Sequence, residues 1–352
     1  ASPSEASRAN GVPPLDYDPK SLPRELSRHY IPASEEDLRS MLEVVGAESF
    51  ESLFAHAPDE IRFAESPELP EELSYDELLQ RLAAIASKNR QITSFLGDGM
   101  PDWKVHPISS FVCGIRPLTT SYTPYQPERS QGTLVTHWIY QCMMTALTGF
   151  EAINSSLYDR STALFEAICC SLRLSRGRNV VIVAESHFPS DLEVLRTHVE
   201  ETEIQLAFAP LDPSTGRLDL DALRTQANDF GDDLAAIAFP QINSLGLLED
   251  VDDLTNLAHD LGAKAIACVD PMLLAGGGLK PPSSFGQAGA DLLVGEGQHL
   301  AIGPNFGGPG LGVFGVRHNE TTRNAVRSTP GRYVGKAVDQ AGRECRVMVL
   351  ST

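Results

Sequence analysis

The glycine-rich stretch GEGQHLAIGPNFGGPG, residues 295–310, has the residue types of a ligand site. It lies between the apolar runs ADLLV and LGVFGV, which both predict buried strands. Its side chains include Glu296, Gln298 and His299 but no lysine. Glycine-rich loops at strand ends let a backbone approach a ligand closely, and α/β enzymes usually carry their chemistry there. The stretch therefore predicts a site without an evident nucleophile of its own.

Two other predicted strand ends carry side chains that could act on a ligand. His187 follows the run VVIVAES, and Asp270 ends the run AKAIACVD. An aspartate at such a position can bind a pyridinium nitrogen through a charge-assisted hydrogen bond, and a nearby histidine can stack on a ring. An aspartate before a proline also commonly ends a strand and caps the next turn, so this alternative stays open.

Two tyrosines, Tyr122 and Tyr125, lie in the segment SYTPYQPERSQG at residues 121–132. Pro124 and Pro127 fix the local backbone and remove hydrogen-bond donors, so we expect an ordered, non-helical loop. The tyrosine rings and hydroxyls suit the wall of a polar pocket. Composition alone favours the alternative, a structural loop in which the tyrosines simply pack.

Another candidate site is the polar triplet of Asn154, Ser155 and Ser156, which precedes a run with helical spacing. The backbone N–H groups at the start of a helix can bind a phosphate. The same residue types are also ordinary N-caps, which is their commoner role. The triplet is therefore compatible with either role.

The elements that must position these residues alternate between strand and helix. Apolar, β-branched runs predict strands at residues 180–186, 204–210, 234–240 and 263–270, and helical spacing follows the first three. Such alternation predicts an α/β fold with a mostly parallel sheet and helices on its faces. Because ligands gather at the carboxyl ends of such strands, we expect the strand-end residues to lie together. Upstream, helical spacing predicts two short helices, at residues 34–46 and 75–89.

Composition limits the classes of protein. The net charge of -19 argues against a surface for duplex nucleic acid, which needs clustered Lys and Arg. No apolar run is long enough to cross a bilayer and the first residues lack a signal-peptide core, so we expect a cytoplasmic protein that is not in a membrane. The six cysteines form no C-x-x-C pair, which favours buried reduced thiols over a metal site or disulfides. The motifs G-x-S-x-G and H-E-x-x-H are missing from the sequence, which argues against serine and zinc hydrolases.

Several strings, in order from about residue 29 to the end, together resemble one family. The most specific are SYTPYQPERSQGTL, LTGFEAINSSLYDRSTAL, CVDPMLLAGGGLKPP and GADLLVGEGQHLAIGPNFGGPGLGVFG. They are similar to the first subunit of glycine dehydrogenase (decarboxylating), the P-protein of the glycine cleavage system, in the bacterial form that is split into two chains. One departure is Arg160, because the family usually has a small residue after the Tyr-Asp pair.

The resemblance implies a fold and a division of the chain. The fold would be the large domain of the pyridoxal phosphate (PLP)-dependent transferases of fold type I, which is aspartate-aminotransferase-like, preceded by a helical arm. The small C-terminal domain of that class is expected to be absent, since the sequence ends at RVMVLST, where its pattern still predicts a strand. The implied divisions are a flexible extension at 1–28, a helical arm and linker at 29–120, the large domain at 121–330, and the start of a truncated C-terminal region at 331–352.

The resemblance also implies a half-site. In that family the second subunit carries the lysine that holds PLP as a Schiff base, and His299 lies about where that lysine would be. An imidazole cannot replace a primary amine in such a bond. The implied activity is decarboxylation of glycine and transfer of its aminomethyl group to the lipoyl arm of H-protein, by a heterotetramer with glycine decarboxylase subunit 2.

Two groups of residues receive roles by this resemblance. Tyr122 and Tyr125 would line the partner's active site, with Glu128 and Gln131 holding their loop. The other group would form a degenerate PLP-like pocket that is more structural than catalytic, with no metal ligand: Ser155, Ser156, Asp159, His187, Asp270, Glu296, Gln298 and His299. The alternatives are a self-sufficient PLP enzyme of the same fold and a non-catalytic scaffold protein.

Overall fold

The structure is a computed structural model, and it describes residues 35–62, 68–71, 73–90, 92–93, 95, 103–305, 307–320 and 322–349. The chain divides into two compact units, Ala1–Ile92 and Thr93–Thr352. The extension predicted at residues 1–28 lies outside the described residues.

The first unit contains the two helices that helical spacing predicts. They are α1 (Glu35–Val45) and α2 (Tyr75–Ala86), and both predictions are confirmed. Helix α2 begins at a capping box, in which the Ser74 hydroxyl accepts from the Glu77 N–H and the Glu77 carboxylate accepts from the Ser74 N–H. Two short 3-10 turns also belong to this unit, Glu51–Phe54 and Asp59–Ile61.

The second unit contains the strands and the remaining helices. A seven-stranded sheet comprises β1 (Ala152–Ile153), β2 (Val180–Ala184), β3 (Gln205–Ala209), β6 (Leu234–Pro240), β7 (Lys264–Val269), β8 (Leu292–Glu296) and β9 (Gly312–Val316). Two hairpins are separate from it, β4 (Leu211–Asp212) with β5 (Arg217–Leu218), and β10 (Tyr333–Val338) with β11 (Glu344–Val349). The helices are α3 (Ile108–Cys113), α4 (Pro127–Thr148), α5 (Arg160–Leu174), α6 (Pro189–Val199), α7 (Leu220–Phe230), α8 (Val251–Asp260), α9 (Pro271–Leu274) and α10 (Gln298–Ala301).

The strand order of the large sheet is β1-β9-β8-β7-β6-β2-β3. Strands β3, β2, β6, β7 and β8 are parallel neighbours, which confirms the mostly parallel sheet expected from the sequence. Strand β9 runs antiparallel to β8, and β1 runs antiparallel to β9. The carboxyl ends of β2, β7 and β8 therefore lie at the same edge of the sheet.

Helices cover both faces of the sheet. Strand β2 shows the division, because successive side chains of a strand point to opposite faces. Ile182 belongs to a buried cluster that includes residues of α4, α7 and α8. Val181 and Val183 belong to a second buried cluster, which includes residues of α5 and α6. Burial on both sides fixes the register of the strand and the position of its carboxyl end.

The prediction of a non-helical loop at residues 121–132 is partly wrong. Only residues 121–126 are non-helical, and α4 begins at Pro127. Proline fits the first helical position because its fixed φ suits the helix and its missing N–H would have no partner there. Helix α4 ends at Gly149, whose φ of 71° is the left-handed conformation of a helix C-cap.

The C-terminal hairpin β10–β11 is attached to α4 by two glutamines. Gln131 Nε2 donates to the Arg346 carbonyl at 2.8 Å and Gln131 Oε1 accepts from the Arg346 N–H at 3.0 Å. Gln141 makes the same pair of bonds to Val334, at 3.2 and 2.8 Å. The predicted strand near the end of the sequence is therefore β11, and it is an element of this hairpin.

The prediction of buried thiols is confirmed for only some of the six cysteines. All six are free, but Cys113 and Cys142 are exposed, whereas Cys170 and Cys268 are buried. Helical spacing does not distinguish the outer face of α4 from its inner face without knowledge of what packs there, and Cys142 lies on the outer face.

Candidate ligand-binding site

A cavity of about 860 Å³ lies within the second unit, at the carboxyl ends of β2, β7 and β8. Sequence reasoning placed candidate residues at these three strand ends, and the cavity brings them together. The residues of the predicted pocket that line it are Asp159, His187, Asp270, Glu296, Gln298 and His299.

The carboxylate of Asp270 is bonded to His299. Its Oδ1 lies 2.9 Å from His299 Nε2 and accepts at 2.9 Å from the N–H of Met272, so Asp270 also caps α9. The hydrogen bond from Asp270 raises the pKa of His299 above its ordinary value. Asp270 therefore has the capping role that an aspartate before a proline commonly takes, and the same oxygen lies at hydrogen-bond distance from a histidine of the same chain.

Glu296 joins three segments around the cavity. Its Oε2 accepts from the N–H of Arg160 at 3.1 Å, and its Oε1 accepts from those of Gln298 and Leu311 at 2.8 and 2.9 Å. Asp159, the N-cap of α5, accepts from the N–H of Thr162 at 2.8 Å. Two carboxylates thus satisfy N–H groups at the start of α5, where an anionic ligand would otherwise be favoured.

Arg160 forms a buried ion pair that sequence reasoning missed. Its Nε and one terminal nitrogen donate to the two carboxylate oxygens of Asp191, at 2.7 and 3.2 Å. The side chain of Asp191 is 1% exposed, and Ser161 also donates to it. The guanidinium lies 4.4 Å from the ring centroid of Phe188. Arg160 already departs from the family's pattern in the sequence. Its partner Asp191 lies 31 residues away, and no local sequence pattern indicates that the two residues pair.

His187 is almost fully buried, at 2% exposure. Burial lowers its pKa to about 4, so the imidazole is neutral near pH 7. Its Nε2 has no hydrogen-bond partner among the residues that the structure describes. A neutral imidazole has one donor and one acceptor nitrogen, so His187 keeps a polar ring atom that is not satisfied within the described part of the chain.

Ser155 and Ser156 do not line the cavity. The N–H of Ser155 donates to the Arg332 carbonyl at 2.8 Å, and the N–H of Ser156 donates to the side chain of Asn154 at 3.0 Å. Ser156 has a φ of 80°, which is unusual for a residue other than glycine. In this position the two serines fix the approach to α5, and neither of them caps that helix.

The tyrosine segment also lies outside the cavity lining. Tyr122 is 100% exposed and Tyr125 is 66% exposed. Glu128 lies in the first turn of α4. Gln131 hydrogen bonds to the C-terminal hairpin, so its role is not limited to the tyrosine segment. The base of the segment is fixed, because the Thr133 hydroxyl accepts from the N–H groups of Thr120 and Ser121 at 3.1 and 3.2 Å.

The residues of the cavity do not fit PLP. None of the described residues that line it is a lysine, and Lys264 and Lys280 are engaged in ion pairs with Asp291 and Asp252. Asp270, which could otherwise hold a pyridinium nitrogen, is bonded to His299. The start of α5, which could otherwise receive a phosphate, is occupied by carboxylates that repel one.

The described part of the chain shows neither a membrane-spanning helix nor a group of metal ligands. No helix there is both long and apolar enough to span a bilayer. In the same residues, histidine, cysteine, aspartate and glutamate side chains form no group of three or more that could hold a metal ion.

Comparison with known proteins gives consistent matches over most of the chain. The family model described as glycine cleavage system P-protein matches residues 28–352. The probable glycine dehydrogenase (decarboxylating) subunit 1 of Methylococcus capsulatus is 39% identical over 325 residues, which are 91% of this chain and 69% of that protein. The same subunit of Nitrosomonas europaea is 38% identical over 324 residues, with the same coverage.

A solved structure matches as well. It is a crystal structure of glycine decarboxylase (P-protein) of the glycine cleavage system, in inhibitor-bound form. Its TM-score is 0.74 at 38% identity, and the match covers 91% of this chain and 69% of that one. At this similarity the architecture expected from the sequence, the α/β fold of PLP-dependent transferases, is confirmed.

Proposed function

We propose that this chain, which belongs to the glycine cleavage system P-protein family, is the subunit of glycine decarboxylase that does not anchor the cofactor. It acts with a homologous second subunit, which holds PLP. The assembly decarboxylates glycine and transfers the aminomethyl group to the lipoyl arm of H-protein. The proposal includes a heterotetramer of two copies of each subunit, located in the cytoplasm.

One observation carries the proposal, which is the pairing of His299 with Asp270. A PLP-anchoring subunit needs a primary amine for the Schiff base and, at the opposite end of the ring, a carboxylate that is free to bind the pyridinium nitrogen. Here the aspartate is engaged by an imidazole, and the described cavity lining contains no lysine. A chain with the fold but without these two features needs another chain to supply the covalent site.

The contribution of this chain to the shared site is the segment 121–126. Its two tyrosine side chains are exposed, yet its base is fixed by Thr133. Exposed aromatic side chains on a fixed base are suited to pack against a partner, where their rings exclude water and their hydroxyls hydrogen bond. We assign Tyr122 and Tyr125 to the wall of the partner's site, where PLP supplies the electron sink for the reaction.

Glu128 and Gln131 have a supporting role in this proposal. Glu128 lies in the first turn of α4, where a carboxylate is favoured by the helix dipole. Gln131 binds both backbone groups of Arg346, so it fixes the same turn of α4 against β11. Together they hold the start of the helix from which the tyrosine segment extends.

The experiment is a reconstitution of activity. The purified chain and a homologous second subunit are assayed for exchange of labelled CO₂ with glycine, separately and together. We expect exchange only with both, and a loss of at least about tenfold when Tyr122 and Tyr125 are both changed to alanine, since removal of site-wall contacts of this kind costs a few kcal/mol. Exchange by this chain alone, or by the second subunit at full rate without it, contradicts the proposal.

A matched control distinguishes a site role from general damage. Tyr75 is 74% exposed and lies in α2 of the first unit. Tyr75→Ala removes an equally exposed ring without touching the segment 121–126, so we expect it to leave the exchange rate unchanged. A similar loss in both variants would mean that the tyrosines of the segment have no special role.

A further inference from the structure

We propose that the cavity at the carboxyl ends of β2, β7 and β8 is itself a binding site, and that its ligand is a small organic cation, an ammonium group carried on a flat apolar body. This inference concerns the cavity of this chain alone and does not rest on the proposed function. It assigns a ligand class to a pocket that does not fit PLP.

The charge of the cavity excludes anions and favours cations. The four carboxylates of Asp159, Asp191, Asp270 and Glu296 line it, whereas its positive charge comes from Arg160 and, when protonated, His299. The charge of Arg160 is neutralised by Asp191. The lining therefore stays negative even with His299 protonated, and this charge favours a cation over an anion.

Residues of the cavity lining carry polar atoms without hydrogen-bond partners in the described part of the chain. Among the described residues, both hydrogen bonds to Asp270 fall on Oδ1 and the bond to Asp159 also falls on Oδ1, so the Oδ2 atoms of both remain available. His187, which lines the cavity and is 2% exposed, also has an Nε2 atom without a hydrogen-bond partner in the described part of the chain. A buried acceptor without a donor is unfavourable, and an ammonium ligand supplies donors.

The rest of the lining is apolar and aromatic. Trp103, Phe188, Ile242 and Leu273 belong to it. The indole of Trp103 is held in place, because its Nε1 donates to the Ile302 carbonyl at 2.9 Å and its ring lies edge-on to His299, with 6.5 Å between centroids. Aromatic rings bind flat apolar groups and attract cations. A volume of about 860 Å³ is within the usual range for small-molecule pockets.

The test uses Trp103 as the reporter. The chain contains two tryptophans, and the other, Trp138, contacts Arg346 at 4.7 Å outside the cavity. In the full chain carrying Trp138→Phe, emission therefore reports on Trp103. The ligands are benzylammonium, the neutral benzyl alcohol and the anion benzoate, at constant ionic strength. We expect saturable binding of benzylammonium, at least about tenfold weaker binding of benzyl alcohol, and no binding of benzoate.

Variants locate the site. Asp159→Asn and Asp270→Asn each remove one charge while keeping a capping side chain, since asparagine is also a good N-cap. We expect each to weaken benzylammonium binding by about threefold to tenfold and to leave benzyl alcohol binding unchanged. The control is Asp252→Asn, which removes a carboxylate that pairs with Lys280 and does not line the cavity. It should leave both affinities unchanged.

Three results would overturn the inference. They are no saturable binding of benzylammonium up to about 10 mM, equal affinity for benzylammonium and benzyl alcohol, and an effect of Asp252→Asn as large as that of the two cavity variants. Calorimetry on the unmodified chain checks the fluorescence result, so a fold disturbed by Trp138→Phe cannot produce a false negative.

Discussion

His299 Nε2 lies 2.9 Å from Asp270 Oδ1. The histidine is therefore hydrogen-bonded to the carboxylate that a pyridinium ring would need as its partner. The two residues lie 29 positions apart in sequence, and each follows a parallel strand of the same sheet. Their contact closes one end of a cavity whose other polar groups are mostly carboxylates. The pair therefore leaves the Asp270 carboxylate engaged within the chain, beside a lining whose described residues include no lysine.

Restoring the lysine alone is not expected to restore PLP binding. His299→Lys supplies an amine, but Asp159 and Glu296 still occupy the start of α5 and repel a phosphate. We predict that the variant shows no visible absorbance of lysine-bound PLP after dialysis. Adding Glu296→Gln to it removes one charge and should raise PLP affinity about tenfold over the single variant. Stoichiometric PLP on His299→Lys alone would show that the carboxylates do not exclude the cofactor.

The His299–Asp270 pair should stabilise the fold on the acidic side of neutrality. Because Asp270 raises the folded-state pKa of His299, the stabilisation is fully present below the unfolded pKa and is lost as pH rises through the folded pKa. Asp270→Asn should return the pKa of His299 toward its ordinary value. The free energy of unfolding should then no longer decrease as pH rises through that range. The measurement is the NMR titration of His299 in both proteins, together with the free energy of unfolding across neutral pH. Identical titration curves would contradict the pairing.

The buried His187 should have the opposite effect. Burial lowers its folded-state pKa to about 4, so the unfolded chain binds a proton first as pH falls below about 6.5. Stability is therefore lost between these two pKa values, by about 3 kcal/mol at pH 4 relative to pH 7. His187→Phe removes the titration and should flatten that part of the pH profile. Denaturant unfolding at several pH values measures it, and an unchanged slope would show that His187 does not titrate in this way.

The Arg160–Asp191 pair is expected to be required for stability. Arg160→Met leaves the carboxylate of Asp191, which is 1% exposed, without its cation, and breaking a buried pair from one side costs about 3–5 kcal/mol. The double variant Arg160→Met with Asp191→Leu removes both charges and should recover most of that loss. Equilibrium denaturation compares the three proteins. A double variant as unstable as the single one would mean that the pair contributes through packing and not through charge.

Gln131 should control the attachment of the C-terminal hairpin. Gln131→Leu leaves the N–H and carbonyl of Arg346 without their partners, at a cost of about 1–3 kcal/mol. Hydrogen exchange of the β11 amides should accelerate in this variant. Thr136→Val is the control, because it also lies on α4 but its hydroxyl bonds to Leu118 and Gly132, so β11 should keep its protection. Equal exchange rates in both variants would contradict the role of Gln131.

The sequence predicted the sheet well because its strands are buried on both faces. Continuous apolar runs such as Val180–Ala184 have few alternatives to a buried strand, and the strand ends then place His187, Asp270 and Glu296 at one edge. The start of α4 was missed because proline both interrupts helices and begins them, and local sequence does not distinguish the two cases.

Other features could not be predicted from local sequence. The partner of Arg160 is Asp191, and that contact depends on how α5 and α6 pack on the sheet. The unpaired Nε2 of His187 depends on how the neighbouring elements bury a side chain that is 2% exposed. Both features arise from tertiary packing, and both bear on what the cavity can bind.

We propose that this chain supplies half of an active site and leaves PLP to a second subunit. The most direct measurement is an absorbance spectrum of the purified chain with PLP, before and after the homologous second subunit is added. We predict that the visible band of lysine-bound PLP, and a lysine that borohydride fixes to it, are found only with the second subunit and only on that subunit. A borohydride-fixed lysine on this chain alone would contradict the account.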